Sequence, residues 1–254
     1  MSAYLAFTKK ELIESVRTYK LLVLLGVFLL LGMMSPLFAK FMPEILKSVD
    51  FGGMELTAPE PTAMDSWTQF FKNVGQIGLL ALVIASAGIM ANELSKGTLV
   101  NILTKGMKRH TVILSKLTVA ALIWAASYML CLAAAYGYTA YFWDMGELRH
   151  RFLAFFSPWL LGLFLIQLLI LGGTLFKTFI GSLMLTGGVV VAMSLLNIIP
   201  KLQRYNPISL CGDNTALMTG VKDVSDFLPA AIICALLVVM LTAASVVAFD
   251  RKQM

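Results

Sequence analysis

Six stretches of this chain carry no charged residue at all: Leu21–Ala39, Gly75–Ala91, Leu117–Phe142, Phe155–Phe176, Phe179–Ile199 and Phe227–Phe249. Together they make up half of the 254 residues. A bilayer core of about 30 Å is crossed by roughly 20 apolar helical residues. Only helices and closed barrels satisfy their own backbone hydrogen bonds in lipid. These runs are continuous and too long for barrel strands of about 9–11 alternating residues. The expected fold is therefore an all-α integral membrane protein with six transmembrane helices, forming a single transmembrane domain over residues 1–254. The spans are expected at about 21–39, 66–91, 112–142, 155–176, 179–199 and 227–249. The second is lengthened toward Asp65 or Ser66, either of which could serve as N-cap.

Composition agrees. Hydrophobic residues make up 59% and charged residues only 13%, with a mean hydropathy of +0.83. Soluble domains carry about 25% charged residues. A soluble enzyme, a disordered regulator and a nucleic-acid-binding domain are excluded, and the pI of about 9.2 is a membrane feature. The first span is too long for a signal-peptide core and lacks a small-x-small cleavage pattern.

Six spans place both termini on one side. With the termini inside, the inner segments sum to a net +8 and the outer segments to −2. Lys and Arg in short loops set orientation, so both termini are expected in the cytoplasm of a multi-pass plasma-membrane protein. The three cysteines, Cys131, Cys211 and Cys234, make no disulfide framework: the count is odd and two lie within spans.

Sites for chemistry are sparse. There is no GxxxxGK[ST] phosphate loop, no HExxH, no GxSxG and no Cys/His cluster of metal-ligand spacing, so no catalytic or metal residue is assigned. No ionisable side chain falls within the charge-free runs. Proton-coupled carriers and voltage sensors commonly need one there. A transporter built on this chain would draw its energy from elsewhere.

Four features carry information. Residues 4–20 place Leu5, Thr8, Leu12, Val16 and Tyr19 on one helical stripe, with Lys10, Glu11, Glu14 and Arg17 opposite, as in an amphipathic interfacial helix. The inner loop Asn92–Lys116 has Gly97 to break the emerging helix and Thr98 to cap a short helix, roughly Thr98–Lys105. That helix carries Leu99, Ile102 and Leu103 on one face, is ended by Gly106, and Thr111 caps the next span. Apolar residues displayed on a cytoplasmic loop suggest a docking helix. The alternative is a helix lying on anionic headgroups. Gln69, Lys72, Asn73 and Gln76 share one face of the second span, and Gln167 lies mid-way along the fourth. They are candidates for an outer vestibule, solvated helix ends or interhelical bonds. Gly172-Gly173, Gly181 and Gly187-Gly188 bracket the hairpin between spans four and five, where small residues allow close packing.

Taken together, these pieces resemble the permease subunit of a type-2 ABC exporter. The motif is Glu93, Gly97-Thr98-Leu99, Leu103, Arg109 and Ser115-Lys116 between spans two and three. The likeness extends to the whole chain, through the N-terminal elbow, six spans and the apolar outer loop before span six. Gly106-Met107 departs from the proline and small residue that many members carry. The resemblance implies a permease with no ATPase motif of its own, paired as a homodimer or heterodimer. It also implies separate ATPase subunits that bind ATP and Mg. The coupling helix would contact the ATPase through Glu93, Gly97, Thr98, Leu99, Ile102, Leu103, Lys105 and Arg109, with Lys9, Lys10 and Glu14 of the elbow nearby. Gln69, Asn73, Gln76 and Gln167 would flank the substrate path. The chain would bind no cofactor, and its partners would include membrane lipids but no nucleic acid. With few polar residues in the spans, a hydrophobic or amphipathic substrate is favoured: a peptide, lipid-like molecule or drug. Two rival readings remain. One is a membrane-embedded lipid enzyme or accessory protein, for which Asp144, Glu147, His150 and Arg151 are the available polar groups. The other is a passive channel.

Overall fold

The computed structural model describes residues 3–48, 60–104, 106–146 and 148–252. Among them are six helices long and apolar enough to cross a membrane, and no strand. An elbow helix, Ala3–Arg17, turns at Tyr19 (φ 59°) into span one, Lys20–Ser48. Span two runs over Ala63–Ser95, span three over Arg109–Phe142 and span four over Arg151–Phe176. Span five is Phe179–Leu196 and span six Val224–Asp250. A four-residue helix, Val100–Leu103, lies between spans two and three.

Span four is the central element, buried on most sides by spans two, three, five and six. Span one packs along span three and against the outer half of span two. Spans five and six leave most of their surface uncovered. Burial of apolar area does not drive helix pairing in lipid, so close approach and interhelical hydrogen bonds must do so. Both are present. A Cβ on Gly32 would collide with the Cys131 carbonyl, so spans one and three touch there backbone to backbone. On Gly173 it would lie 2.9 Å from the Ala91 nitrogen, and on Gly172 3.0 Å from the Ser182 Cα. Thus Gly172-Gly173 hold span four against spans five and two, whereas Gly187 and Gly188 face open space. Gly162 leaves room for the Trp124 indole, whose Nε1 donates to the Trp159 carbonyl at 2.9 Å. The hydroxyls of Ser66 and Thr139 meet at 2.7 Å between spans two and three.

Several expected boundaries move. Thr62, not Asp65 or Ser66, caps span two; its amide and hydroxyl donate to Asp65 at 2.8 and 2.7 Å. Asp65 is thereby the third-position partner in a capping box. A π-helical turn, Val74–Gly78, interrupts span two. Gly78 admits the Phe28 ring at this turn, at 3.0 Å from where a Cβ would stand. Span three begins at Arg109 after an extended Lys108, so Thr111 sits inside the helix and caps nothing. The outer segment before span six is three short pieces, Pro200–Gln203, Pro207–Cys211 and Asn214–Thr219. Leu210, Leu217 and Met218 are buried, and Asn214 donates to the Ala154 carbonyl at 2.9 Å, fastening the segment to span four.

Candidate functional site

The charged signature residues converge at one end of the bundle, where the elbow helix, the loop between spans two and three, the Lys177-Thr178 turn and the end of span six come together. Their arrangement follows from local chain chemistry. Span two ends in a Schellman motif: the Gly97 amide donates to the Leu94 carbonyl at 3.4 Å and the Thr98 amide to the Glu93 carbonyl at 3.2 Å. Gly97 is left-handed, φ 65°, which a glycine adopts without strain. This turn fixes Glu93 at the last inward-facing position of the span.

Glu93 there closes a ring of four charges. Its Oε1 lies 2.6 Å from Lys10 Nζ and its Oε2 2.7 Å from Lys116 Nζ. Glu11 makes the same double bridge, 2.9 Å to each lysine. Glu14 adds a contact of 2.7 Å to Lys10. Glu11, Glu93 and Lys116 are buried, Lys116 at 2% exposure. Burial opposes the charge on Lys10, but the carboxylates of Glu14, Glu93 and Glu11 more than offset it and hold its pKa above that of an ordinary lysine. The ring therefore pins the elbow helix to spans two and three by paired charges, with Glu11, Glu93 and Lys116 buried and Lys10 and Glu14 at its open side. Removing one member of such a set strands its partners, at a cost of about 3–5 kcal/mol. The carboxylate oxygens of Glu11, Glu14 and Glu93 lie within 4.8 Å of one another, but the two ammonium groups already neutralise them where a metal ion would sit.

A second tie joins the loop to span six. The Arg109 guanidinium donates to the carbonyls of Phe249, Asp250 and Lys252 and lies over the Phe249 ring. A cation there also meets the negative end of the helix dipole. The Lys252 ammonium in turn donates to the carbonyls of Thr174 and Leu175 at the end of span four.

The predicted contact residues separate accordingly. Glu93 and Leu99 (1% exposed) face the protein's own interior, and Ile102 and Leu103 pack half-buried against its core. The expected display of an apolar face to the cytoplasm is corrected: this face packs against the protein's own core. The helix is also shorter than Thr98–Lys105, and Thr98 closes span two instead of capping the next helix, its hydroxyl reaching the Glu93 carbonyl at 3.4 Å. Lys9, Gly97 and Thr98 are exposed, Lys10 and Glu14 are half-exposed, and Lys105 lies outside the described residues.

The elbow helix keeps the two faces expected of it, and its charged face packs partly against the bundle. Phe7 and Glu11 turn inward, and Leu5, Leu12, Ile13, Val16 and Tyr19 are the exposed stripe. In the polar row of span two, the π turn under-rotates the helix and splits the face. Asn73 Nδ2 donates to Ser35 Oγ of span one at 3.0 Å, and Gln76 is exposed toward spans four and five. There it borders a largely apolar cavity of about 550 Å³, walled by Leu79, Val83, Leu161, Phe164 and Val190. Gln69 is half-buried. Gln167 is fully buried and donates to Ser245 Oγ of span six at 3.1 Å, a bond between helices and not a path-lining position. Asp144, His150 and Arg151 are exposed and make no ion pair or hydrogen bond with one another among the described residues, and Glu147 lies outside them. No acid–base constellation forms there among the described residues.

An elbow, six spans and a loop locked between spans two and three define the membrane component of a transporter. The model of the ABC-2 family transporter proteins matches residues 20–194, and the chain belongs to that family. It is also similar to the "uncharacterized transmembrane protein YxlG" of Bacillus subtilis (strain 168), with 24% identity over 218 residues and 83% of each chain covered. Such a component is of permease type and carries no ATPase motif of its own.

Proposed function

We propose that the chain is the membrane-spanning subunit of an ATP-driven exporter in the plasma membrane, with both termini cytoplasmic. It would work as a dimer, with ATP and Mg bound by separate ATPase subunits. The observation that carries this reading is the clamp of Lys10, Glu11, Glu93 and Lys116. It makes the elbow, the loop and the inner ends of spans two and three one mechanical unit. A push delivered to the loop by a closing ATPase would be transmitted to both spans and, through Arg109, to span six. The uneven charge supports the orientation: this end of the bundle holds the segments that sum to +8.

The ATPase would meet the loop through its exposed rim, Lys96, Gly97, Thr98 and Lys108, and the elbow through Lys9 and Glu14. Leu99 would support that surface from beneath. Uncovered faces of spans five and six, including Gly187-Gly188, offer room for lipid and a second permease. The apolar cavity beside Gln76 supports a hydrophobic or amphipathic substrate.

The test is co-purification with the P-loop ATPase encoded nearest to the chain. Lys9→Glu with Lys108→Glu should abolish it while leaving the melting temperature of the permease unchanged. Retained co-purification would overturn the contact surface.

A further inference from the structure

A cavity of about 550 Å³ lies between the elbow helix and spans one, two and three, with the clamp residues in its wall. Its two ends differ in chemistry. At the mouth stand Ser15, Thr18, Lys20, Asn92 and Lys96. Seven residues further along their helices, Ala85 and Ile123 (counted from Asn92 and Lys116) line the floor with Leu24, Ile89 and Ala120. Seven helical residues span about 10 Å. The cavity therefore runs from the water–membrane boundary into the depth of the apolar spans.

Charge at the mouth is unevenly satisfied. Lys10 and Lys116 are neutralised within the ring by Glu11, Glu14 and Glu93. The side-chain ammonium groups of Lys20, half-buried, and Lys96, exposed, have no hydrogen-bond or ion-pair partner among the described residues. Four lysines against three glutamates leave the lining one positive charge in excess. The Asn92 amide stands at the same mouth, whereas the Ser15 and Thr18 hydroxyls donate to the Glu11 and Glu14 carbonyls and offer only acceptor lone pairs.

We infer that this cavity binds one anionic phospholipid of the membrane leaflet at the clamp end, its phosphate held by Lys20 and Lys96 and an acyl chain lying over Ala85, Ile89 and Ile123. A half-buried lysine at the first position of a span is costly without an anion. A lipid phosphate supplies one at the depth where Lys20 sits. The apolar floor distinguishes a lipid from a free anion, which would gain nothing from it.

The experiment uses the full chain purified in detergent, titrated with phosphatidylglycerol and read by native mass spectrometry and melting temperature. One lipid per chain should survive delipidating washes, and added phosphatidylglycerol should raise the melting temperature. Phosphatidylcholine should do so at least five-fold less effectively by concentration. Lys20→Gln with Lys96→Gln should weaken retention at least ten-fold. Ala85→Phe, which fills the floor and leaves both lysines, should do the same. Lys9→Gln, on the exposed face of the elbow, should retain the lipid. Equal retention by the double variant, or an equal loss in Lys9→Gln, would overturn the site. Full competition by glycerol phosphate would overturn the lipid in favour of a free phosphate.

Discussion

At the scale of single residues, the clamp and the glycine contacts make the sharpest claims. Lys116 is the most buried member of the ring and bridges Glu11 and Glu93. Lys116→Met should cost about 3–5 kcal/mol, because it leaves the buried carboxylates of Glu11 and Glu93 sharing the single ammonium of Lys10 with Glu14. Adding Glu93→Gln leaves Lys10 balanced by Glu11, so the double variant should lose less than the sum of the two single variants. A double-mutant cycle of unfolding in detergent checks this, and additive losses would contradict the ring. Glycine gives a matched comparison. Gly32→Ala forces a methyl into the Cys131 carbonyl and should destabilise by about 1–3 kcal/mol. Gly188→Ala enters open space and should be neutral or stabilising by up to about 1 kcal/mol. Thermal unfolding of the two variants side by side decides it. The sequence marked Gly172-Gly173, Gly181 and Gly187-Gly188 as small residues that allow close packing, and Gly32 was not among them. It did not show which of them meet a neighbouring helix, because glycines in apolar spans differ only in what stands opposite.

At the scale of elements, the loop between spans two and three depends on how its ends are closed. Gly97 and Gly106 were readable as breaks, and both have positive φ, 65° and 86°. The direction of the intervening apolar face was not readable. Leu99 has the same spacing whether it meets a partner or the chain's own spans, and only the Schellman turn at Glu93 decides. The elbow's two faces were readable, but what each one meets was not. A helical wheel reports two faces but not which is wet, and in a membrane protein the charged face can turn inward once its charges are paired. The π turn of span two was hidden too, since a row of polar residues at i, i+3, i+4 and i+7 presumes an unbroken helix. Arg109 offers an element-scale test. Arg109→Met removes the donor to three carbonyls at the end of span six, so amide exchange over Val247–Asp250 should accelerate several-fold, with span four unaffected. Unchanged exchange there would show that the tie carries no load.

At the scale of the whole molecule, the spans were almost fully legible, because uninterrupted apolar length is a direct consequence of bilayer thickness. Charge also forecast which segments would gather at one end, and the contacts of Lys10, Arg109 and Lys252 bring them together there. The lateral arrangement was not legible. That span four lies at the centre, with spans five and six largely uncovered, depends on small residues and hydrogen bonds scattered over several helices. The central claim is that this bundle converts ATP hydrolysis by a partner into movement through the clamp. The most direct test reconstitutes the permease with its ATPase in proteoliposomes and measures ATP turnover and export together, with and without Glu93→Gln. The account predicts no ATP turnover by the permease alone. For the variant complex it predicts retained turnover with export reduced at least ten-fold, because the loop still meets the ATPase but no longer grips the elbow and span three. Export that stays proportional to ATP turnover in the variant would contradict it.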